Sequence, residues 1–272
     1  MKRRALFTLI VFGLLLPGAA SRTIQSTSKV TIPPAAITIP FELVNRHIVL
    51  KVKVDNSRPL SFLLDTGDQF AIINLDRAKE LGLKLEGEVH VGGAGSAVST
   101  GAYVRDSSFT IPGFPGFSQP LTLALPIGRM APRLGQDFDG IIGGEFIKQF
   151  VLELDYQAKV IKLHDKERFT YAGAGESIPI KLNSAGHPIL EAAVTPLGSA
   201  ATRGRFVLDI GSGGALVLYS PFVAGHNLLG ANLKTIKAIG VGGAGGLVTA
   251  HRPRIRVEDR QVPHQQSYND VC

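Results

Sequence analysis

The sequence predicts a mainly-β protein built from two similar lobes, in which runs of short strands form barrels or sandwiches. The chain of 272 residues contains 31 glycines, 16 prolines and no tryptophan, a composition typical of turn-rich β proteins. Apolar residues alternate with a period of two, for example in residues 48–54 and 151–156. Several segments also recur in the same order in the two halves of the chain, which indicates a duplication.

The first twenty residues have the pattern of a secretory signal. A basic start at residues 2–4 is followed by an apolar run at 5–16 and by small residues that predict cleavage after Ala20. The apolar run is too short for an ordinary membrane-spanning helix, which needs about 20 residues. We therefore expect an exported protein, periplasmic or secreted, with no stable membrane span after the signal is cleaved. An uncleaved anchor is the alternative.

Charge, cysteine and histidine argue against several classes of function. The formal net charge is +7, and the three positive charges of residues 2–4 belong to the signal, which leaves +4 spread over the rest. Nucleic-acid binding needs a clustered basic face, so we expect no nucleic acid as a partner. Cys272 is the only cysteine, and no disulfide can form within the chain. The seven histidines have no paired spacing, so we expect neither a metal nor a cofactor.

Composition along the chain predicts its division into regions. Short helices are expected only at residues 75–81 and 145–150, and strands dominate elsewhere. The last residues are polar and poor in large apolar side chains, and we expect them to be poorly ordered. The predicted regions are a signal peptide at 1–20, a linker rich in Ser, Thr and Pro at 21–36, a first lobe at 37–170, a partial second lobe at 177–248 and a polar tail at 249–272.

Two segments carry the internal repeat most clearly. Phe-Leu-Leu-Asp-Thr-Gly at 62–67 matches Phe-Val-Leu-Asp-Ile-Gly at 206–211. Val-Gly-Gly-Ala-Gly at 91–95 recurs letter for letter at 241–245. A duplicated lobe explains matches in the same order better than chance does.

The second copy of the repeat is predicted to be incomplete. The first copy continues through Gly-Ile-Ile-Gly-Gly at 140–144 and two strand-like stretches within 150–163. Residues 250–272 do not resemble this part of the first copy. The sequence therefore lacks a second Ile-Ile-Gly segment to accompany the repeated Asp.

The repeated Asp segments suit hydrolysis by a pair of carboxyl groups. Both groups must face one water, the ionised one accepting its proton and the protonated one polarising the carbonyl of the substrate. Two negative charges a few ångströms apart repel each other, so such a pair of carboxyl groups shares one proton. Asp65 and Asp209 each follow an apolar run, and Gly67 tolerates a tight turn. An ordinary turn is the alternative for Asp65, because Asp-Thr-Gly is common in turns.

A glycine-rich segment in the first copy predicts a hairpin tip. Such a tip can fold over the substrate as a flap, which excludes water and positions the scissile bond. An ordinary hairpin is the alternative. A phosphate loop is not expected, because no Lys-Ser or Lys-Thr follows. The flap residues are Gly92, Gly93, Ala94 and Gly95.

On these residues the chain resembles the pepsin/retropepsin superfamily of aspartic peptidases, and in particular its bacterial exported two-lobe members. The motifs that carry the resemblance lie at 63–67, 141–143 and 209–212. The resemblance implies acid-protease-like β-barrel lobes with Asp65 and Asp209 as the catalytic pair. It also implies that the segment at 141–143 threads beside the first catalytic loop and braces it. The residues that the resemblance assigns to support of the catalytic loops are Thr66, Gly67, Gly211, Ser212, Ile141, Ile142 and Gly143.

The sequence departs from the family pattern near both Asp residues. Ile210 stands where the family usually has Thr or Ser, whose hydroxyl helps to lock the two loops together. Asp68 stands where Ser, Thr or Ala is usual, and this third carboxylate either raises the pKa of a neighbour or points to solvent. Asp137 and Asp139, next to the brace, are interpreted as loop carboxylates.

The leading hypothesis is an aspartic endopeptidase that acts on extended peptide or unfolded protein. A second hypothesis is a catalytically impaired, peptidase-like protein that binds peptide, as Ile210, Asp68 and the missing second brace suggest. A third is an enzyme active only as a homodimer through its first lobe, in the manner of single-lobe retropepsins.

Overall fold

A computed structural model of the protein describes residues 36–93, 98–135, 137–195, 200–214, 216–228, 234–240, 243–249 and 254–257. The predicted signal at 1–20 lies outside these residues, as does the predicted linker apart from Ala36. The described residues are mainly β, with short helices, and this confirms the predicted fold class. None of the helices in these ranges is long and apolar enough to span a membrane.

The first lobe follows the predicted succession of short strands and turns. The helix predicted at residues 75–81 is present, and the one predicted at 145–150 begins and ends earlier. The strands are β1 (Ile37–Pro40), β2 (Glu42–Val44), β3 (His47–Val54), β4 (Leu60–Leu64), β5 (Ala71–Asn74), β6 (Leu85–Val91), β7 (Ser99–Ile111), β8 (Phe114–Leu125), β9 (Gly140–Ile142), β10 (Phe150–Asp155) and β11 (Val160–Asp165). The helices are α1 (Leu75–Glu80), a 3₁₀ helix (Ile127–Met130), α2 (Ala131–Leu134) and α3 (Gly144–Ile147).

Most of these strands form one sheet that closes on itself. The strand order is β2-β3-β4-β9-β5-β8-β7-β6, and β3 also pairs with β7. At this closing contact Val54 lies opposite Phe109, and both side chains are buried. A separate sheet of β1, β11 and β10 covers one side, with Ile39 opposite Ile161. Each fully buried large apolar side chain contributes about 1.5–3 kcal/mol to stability.

Strand β9 is the element that positions the first Asp loop. It runs parallel to β4, with Leu63 opposite Ile141, and antiparallel to β5, with Ile72 opposite Ile141. Because β9 has a hydrogen-bonded neighbour on each side, its three residues are all buried. A strand in that position is an apolar run rather than an alternating one, which explains the Gly-Ile-Ile sequence.

The second lobe is smaller and centres on one strand. Its strands are β12 (Lys181–Leu182), β13 (Pro188–Thr195), β14 (Thr202–Val207), β15 (Lys234–Gly240), β16 (Gly243–Thr249) and β17 (Arg254–Val257), and its helix is α4 (Ser220–Gly225). β13 pairs antiparallel with β12, β14 and β17, while β15 and β16 form a separate hairpin. Ala192, Val194, Phe206 and Phe222 make a small buried cluster.

One part of the predicted polar tail forms regular structure. Residues 254–257 form β17, whose register places Arg256 opposite Ala193 and Ile255 opposite Val194. The expectation of a poorly ordered tail fails at these four residues, because Arg-Ile-Arg-Val alternates with the period of a strand and β13 offers a free edge. The rest of the tail beyond Thr249 lies outside the described residues.

Candidate active site

Asp65 lies directly after β4, and the brace strand β9 holds its backbone. The N–H of Asp65 donates to the carbonyl oxygen of Ile142 over 3.0 Å. Within the loop, the N–H of Gly67 donates to the carboxylate Oδ1 of Asp65 over 2.7 Å. At the other end of the loop, the N–H of Gly144 donates to the carbonyl oxygen of Asp68 over 2.7 Å. The segment around 141–144 therefore holds both ends of the first loop.

Asp209 follows β14 and has the corresponding turn without a corresponding brace. The N–H groups of Gly211 and Ser212 donate to its carboxylate Oδ1 over 2.9 and 3.0 Å. The strand that leads to it is held on one side by β13, and the N–H of Leu208 donates to the carbonyl oxygen of Pro188 over 2.8 Å. In the described residues no strand pairs with the other edge of β14.

Thr66 joins the two Asp loops through a single hydroxyl group. Its Oγ1 donates to the carbonyl oxygen of Leu208 over 2.5 Å and accepts from the N–H of Ile210 over 3.0 Å. The side chain of Ile210 packs against the hydrophobic core of the first lobe. One hydroxyl and one apolar side chain therefore connect the loops, where the family pattern leads one to expect two hydroxyls.

The two loops bring Asp65 and Asp209 together. Their carboxyl groups lie close enough to interact with each other. Each Asp also packs against the glycine of the opposite loop. A methyl group added to Gly67 would lie 2.8 Å from Cγ of Asp209, and one added to Gly211 would lie still closer to Asp65. These positions accept only glycine, because any side chain would displace the opposite carboxyl group.

The protonation of the site follows from burial and from the crowding of carboxylates. Burial raises the pKa of Asp65 well above its usual range, and Asp68 and Asp209 raise it further, while the N–H of Gly67 acts in the opposite direction. Burial also raises the pKa of Asp68 to about 6, and the charge of Asp209 adds to this effect. Two carboxyl groups placed together in this way favour a state in which they share one proton.

The first Asp loop has all of its predicted supporting residues beside it, whereas the second loop has its own glycine and serine but no brace in the described part of the chain. Ile141, Ile142 and Gly143 lie beside the first loop, as the resemblance implies. Ser212 contributes its N–H to Asp209, and its hydroxyl accepts from the N–H of Gly214 over 3.3 Å. The catalytic roles of these residues stay predictions.

The predicted flap is described only in part. Gly92 and Gly93 follow β6, on the side from which the chain returns as β7, and Ala94 and Gly95 lie outside the described residues. The matching segment of the second copy is placed differently, because Gly243 begins β16 directly and pairs with Gly240. Identical letters therefore do not occupy identical positions in the two hairpins.

Sequence reasoning missed a buried ion pair behind the brace. Asp139 lies in the loop before β9, as predicted, but it is only 9% exposed. Its Oδ1 accepts from Nε of Arg77 over 2.7 Å, and its Oδ2 accepts from the N–H of Ser61 over 2.9 Å. The pair joins α1, β4 and the start of β9. An Asp directly before an apolar Gly-Ile-Ile run was the available signal, since such a carboxylate needs a partner when it is buried.

His47 is a second contact that its sequence did not reveal. Its imidazole is buried and lies against the second loop, where a methyl group added to Gly213 would be 2.9 Å from Cε1. Nδ1 of the same ring lies 3.3 Å from the carbonyl oxygen of Val44. The histidine therefore packs the first lobe against the loop of Asp209.

Part of the chain is similar to known proteins. Residues 50–146 match the family model described as aspartyl protease. A retropepsin-like aspartic protease from Rickettsia conorii is 16% identical with a TM-score of 0.33, covering 51% of this chain and 94% of that chain. Basic 7S globulin from soybean is 9% identical with a TM-score of 0.40, covering 64% of each chain. No curated protein matches the sequence.

The match covers β4, the first Asp loop, the predicted flap and β9. The chain therefore matches the aspartyl protease family over these residues, which supports the predicted resemblance to the aspartic peptidase superfamily. Its narrower placement among exported two-lobe members stays a prediction.

Proposed function

We propose that the protein is an aspartic-type endopeptidase that cleaves extended peptide or unfolded protein. The observation that carries the proposal is that two loops of different lobes bring Asp65 and Asp209 together, each against the glycine of the opposite loop. Two carboxyl groups that share a proton are the arrangement that two-carboxylate hydrolysis requires.

The surroundings of the two carboxyl groups support different roles in the reaction. Asp65 is half-buried and its pKa is raised, which suits the member of the pair that holds the proton and polarises the carbonyl of the substrate. Asp209 accepts two backbone N–H groups, which stabilise a charged carboxylate that can take a proton from water. The proton belongs to the pair, and the two roles exchange as the reaction returns to its starting state.

The hairpin of β6 and β7 supports an extended substrate. Strands with a glycine-rich tip can lie over a peptide and exclude water from the scissile bond. We propose a peptide partner rather than a nucleic acid, and export through the predicted signal at residues 1–20.

The test is the cleavage of a mixture of unfolded proteins by the purified full-length chain. We expect new peptide termini with the wild type and none with Asp65→Asn, which keeps the shape of the side chain and removes the ionisable group. Asp76→Asn is the matched control, because Asp76 is an exposed carboxylate on α1 of the same lobe. Equal cleavage by the wild type and Asp65→Asn would refute the proposal.

A second candidate function is peptide binding without turnover. It is favoured by the exposed second loop, in which Leu208 is 45% exposed and no brace lies beside β14 in the described residues. Peptide binding that is unchanged in Asp65→Asn and Asp209→Asn, with no cleavage by the wild type, would support it. Cleavage that depends on Asp209 would rule it out.

A homodimer through the first lobe is the third arrangement. The complete brace of Asp65 favours it, because that lobe could supply one carboxylate from each of two chains. Sedimentation at assay concentrations decides the matter, since an active monomer would remove this arrangement.

A further inference from the structure

Asp68 is a third carboxylate at the proposed active site that the reaction does not require. It follows Gly67, the residue whose Cα faces the carboxyl group of Asp209. Its side chain is partly buried, so it does not point freely to solvent. Asp68 therefore lies one residue from a close contact between the two loops.

The brace fixes the backbone of Asp68. Its carbonyl oxygen accepts the N–H of Gly144, and the next carbonyl along the chain, that of Gln69, accepts the N–H of Glu145 over 2.8 Å. A methyl group added to Gly143 would lie 2.7 Å from the carbonyl oxygen of Asp68, so the two segments are in close contact. The brace therefore fixes the backbone from which this carboxylate extends.

The charged groups that act on Asp68 are the two other carboxylates. Asp209 and Asp65 both interact with it electrostatically. In the described part of the chain, no lysine, arginine or histidine forms an ion pair with any of the three. The three are also not arranged as a group that could hold a metal ion, as far as the described residues go.

In the second copy of the repeat, the position that corresponds to Asp68 holds an uncharged residue. Ser212 matches Asp68 in the alignment of the two Asp loops, and its N–H donates to Asp209 while its hydroxyl accepts from Gly214. A serine hydroxyl at this position satisfies the turn. The carboxylate of Asp68 is thus unnecessary for the turn itself and alters the charge of the site.

We propose that Asp68 is a positioning residue that keeps the shared proton on the Asp65–Asp209 pair up to higher pH than a neutral side chain would allow. The expected effect on activity rests on the proposed function, whereas the expected effect on the protonation of the pair does not. The reason is that a negative charge beside the pair disfavours the loss of its last proton. The consequence is activity that extends toward neutral pH.

The first measurement follows the carboxyl groups directly, by NMR titration of isotope-labelled aspartate in the full-length protein. We expect Asp68→Asn, which keeps the shape and removes the charge, to lower the titration midpoint of the Asp65–Asp209 pair by about one pH unit. Asp68→Ser, which copies the second loop, should give the same shift. Asp68→Glu should keep the wild-type midpoint because it restores the charge, and Asp76→Ser is the control for a distant carboxylate.

The second measurement is the dependence of kcat/KM on pH. We expect the limb on which activity falls as pH rises to move down by the same amount in Asp68→Asn and to stay in place in Asp68→Glu. A purely structural role would lower activity at every pH without moving the limb. An unchanged midpoint of the pair in Asp68→Asn, or in Asp68→Ser if the former does not fold, would overturn the proposal. A shifted midpoint in a protein without peptidase activity would refute the proposed function and leave the electrostatic inference intact.

Discussion

The two Asp loops have nearly the same sequence and very different surroundings. Leu64, which precedes Asp65, is 1% exposed, whereas Leu208, which precedes Asp209, is 45% exposed. After the loops, Ile73 is fully buried, whereas Val217 at the corresponding position is 42% exposed. The difference is β9, which lies between β4 and β5 and has no counterpart among the described residues of the second lobe.

The Asp turn and the strand that supports it are therefore separate features of the fold. The turn is local, and both loops form it with backbone N–H groups that donate to the Asp carboxylate. The support comes from a segment far along the chain, and only the first loop has it. The second loop is held instead by the first lobe, through the hydroxyl of Thr66 and the packing of Ile210.

The largest expected effect is the loss of peptidase activity when either carboxyl group is removed. If both loops contribute to one site, Asp65→Asn and Asp209→Asn should each lower kcat/KM by about 1,000-fold or more, because each removes the acid or the base. Steady-state cleavage of a peptide reports both variants. Activity that survives in Asp209→Asn and is lost in Asp65→Asn would show that the second carboxylate comes from another chain.

The next prediction compares the stability lost when Leu64, which is buried, or Leu208, which is exposed, is truncated. Leu64→Ala should lower the free energy of unfolding by about 3 kcal/mol, because it leaves a cavity in the core beside β9. Leu208→Ala should lower it by less than about 1 kcal/mol, since much of that side chain already contacts water. Urea denaturation followed by circular dichroism measures both. Equal losses would mean that the second loop is covered in solution.

Removing the hydrogen bonds that join the two Asp loops should have a smaller effect. Thr66→Val removes the hydrogen bonds to Leu208 and Ile210, at about 1 kcal/mol each. We expect kcat/KM to fall by about tenfold to thirtyfold as the loops lose their alignment. Thr66→Ser keeps the hydroxyl and is the control. A Thr66→Val enzyme with full activity would show that Ile210 alone holds the second loop.

The smallest effect concerns stability and pH. The pKa of Asp68 is raised to about 6 from a usual value of 3.8, so the folded protein binds more protons than the unfolded chain in this window. Stability should therefore fall as pH rises from about 4 to about 6, where the unfolded state ionises first. Asp68→Ser should make this part of the stability profile flatter, which melting temperatures over the window will measure. An equally steep decrease in the variant would contradict the assignment.

Much of the candidate site could be predicted because its signals are short and local. Asp-Thr-Gly after an apolar run predicts a strand that ends in a tight turn, and the resemblance to aspartic peptidases implies the brace at 141–143. The partner of Asp139 could not be predicted, because Arg77 is distant in sequence and nothing in either segment names the other. The position of β17 was missed for the same reason, since a four-residue alternating stretch becomes a strand only where a free edge accepts it.

The amino-acid sequence accounts for the mainly-β class and the repeated Asp turns, because strand periodicity and turn chemistry depend on neighbouring residues. The contact between Asp65 and Asp209 and the hydroxyl link through Thr66 are visible only in the folded protein. These features depend on how the lobes come together. Burial and the mutual repulsion of carboxylates act through space, and they acquire their strength only when distant segments exclude water from the same site.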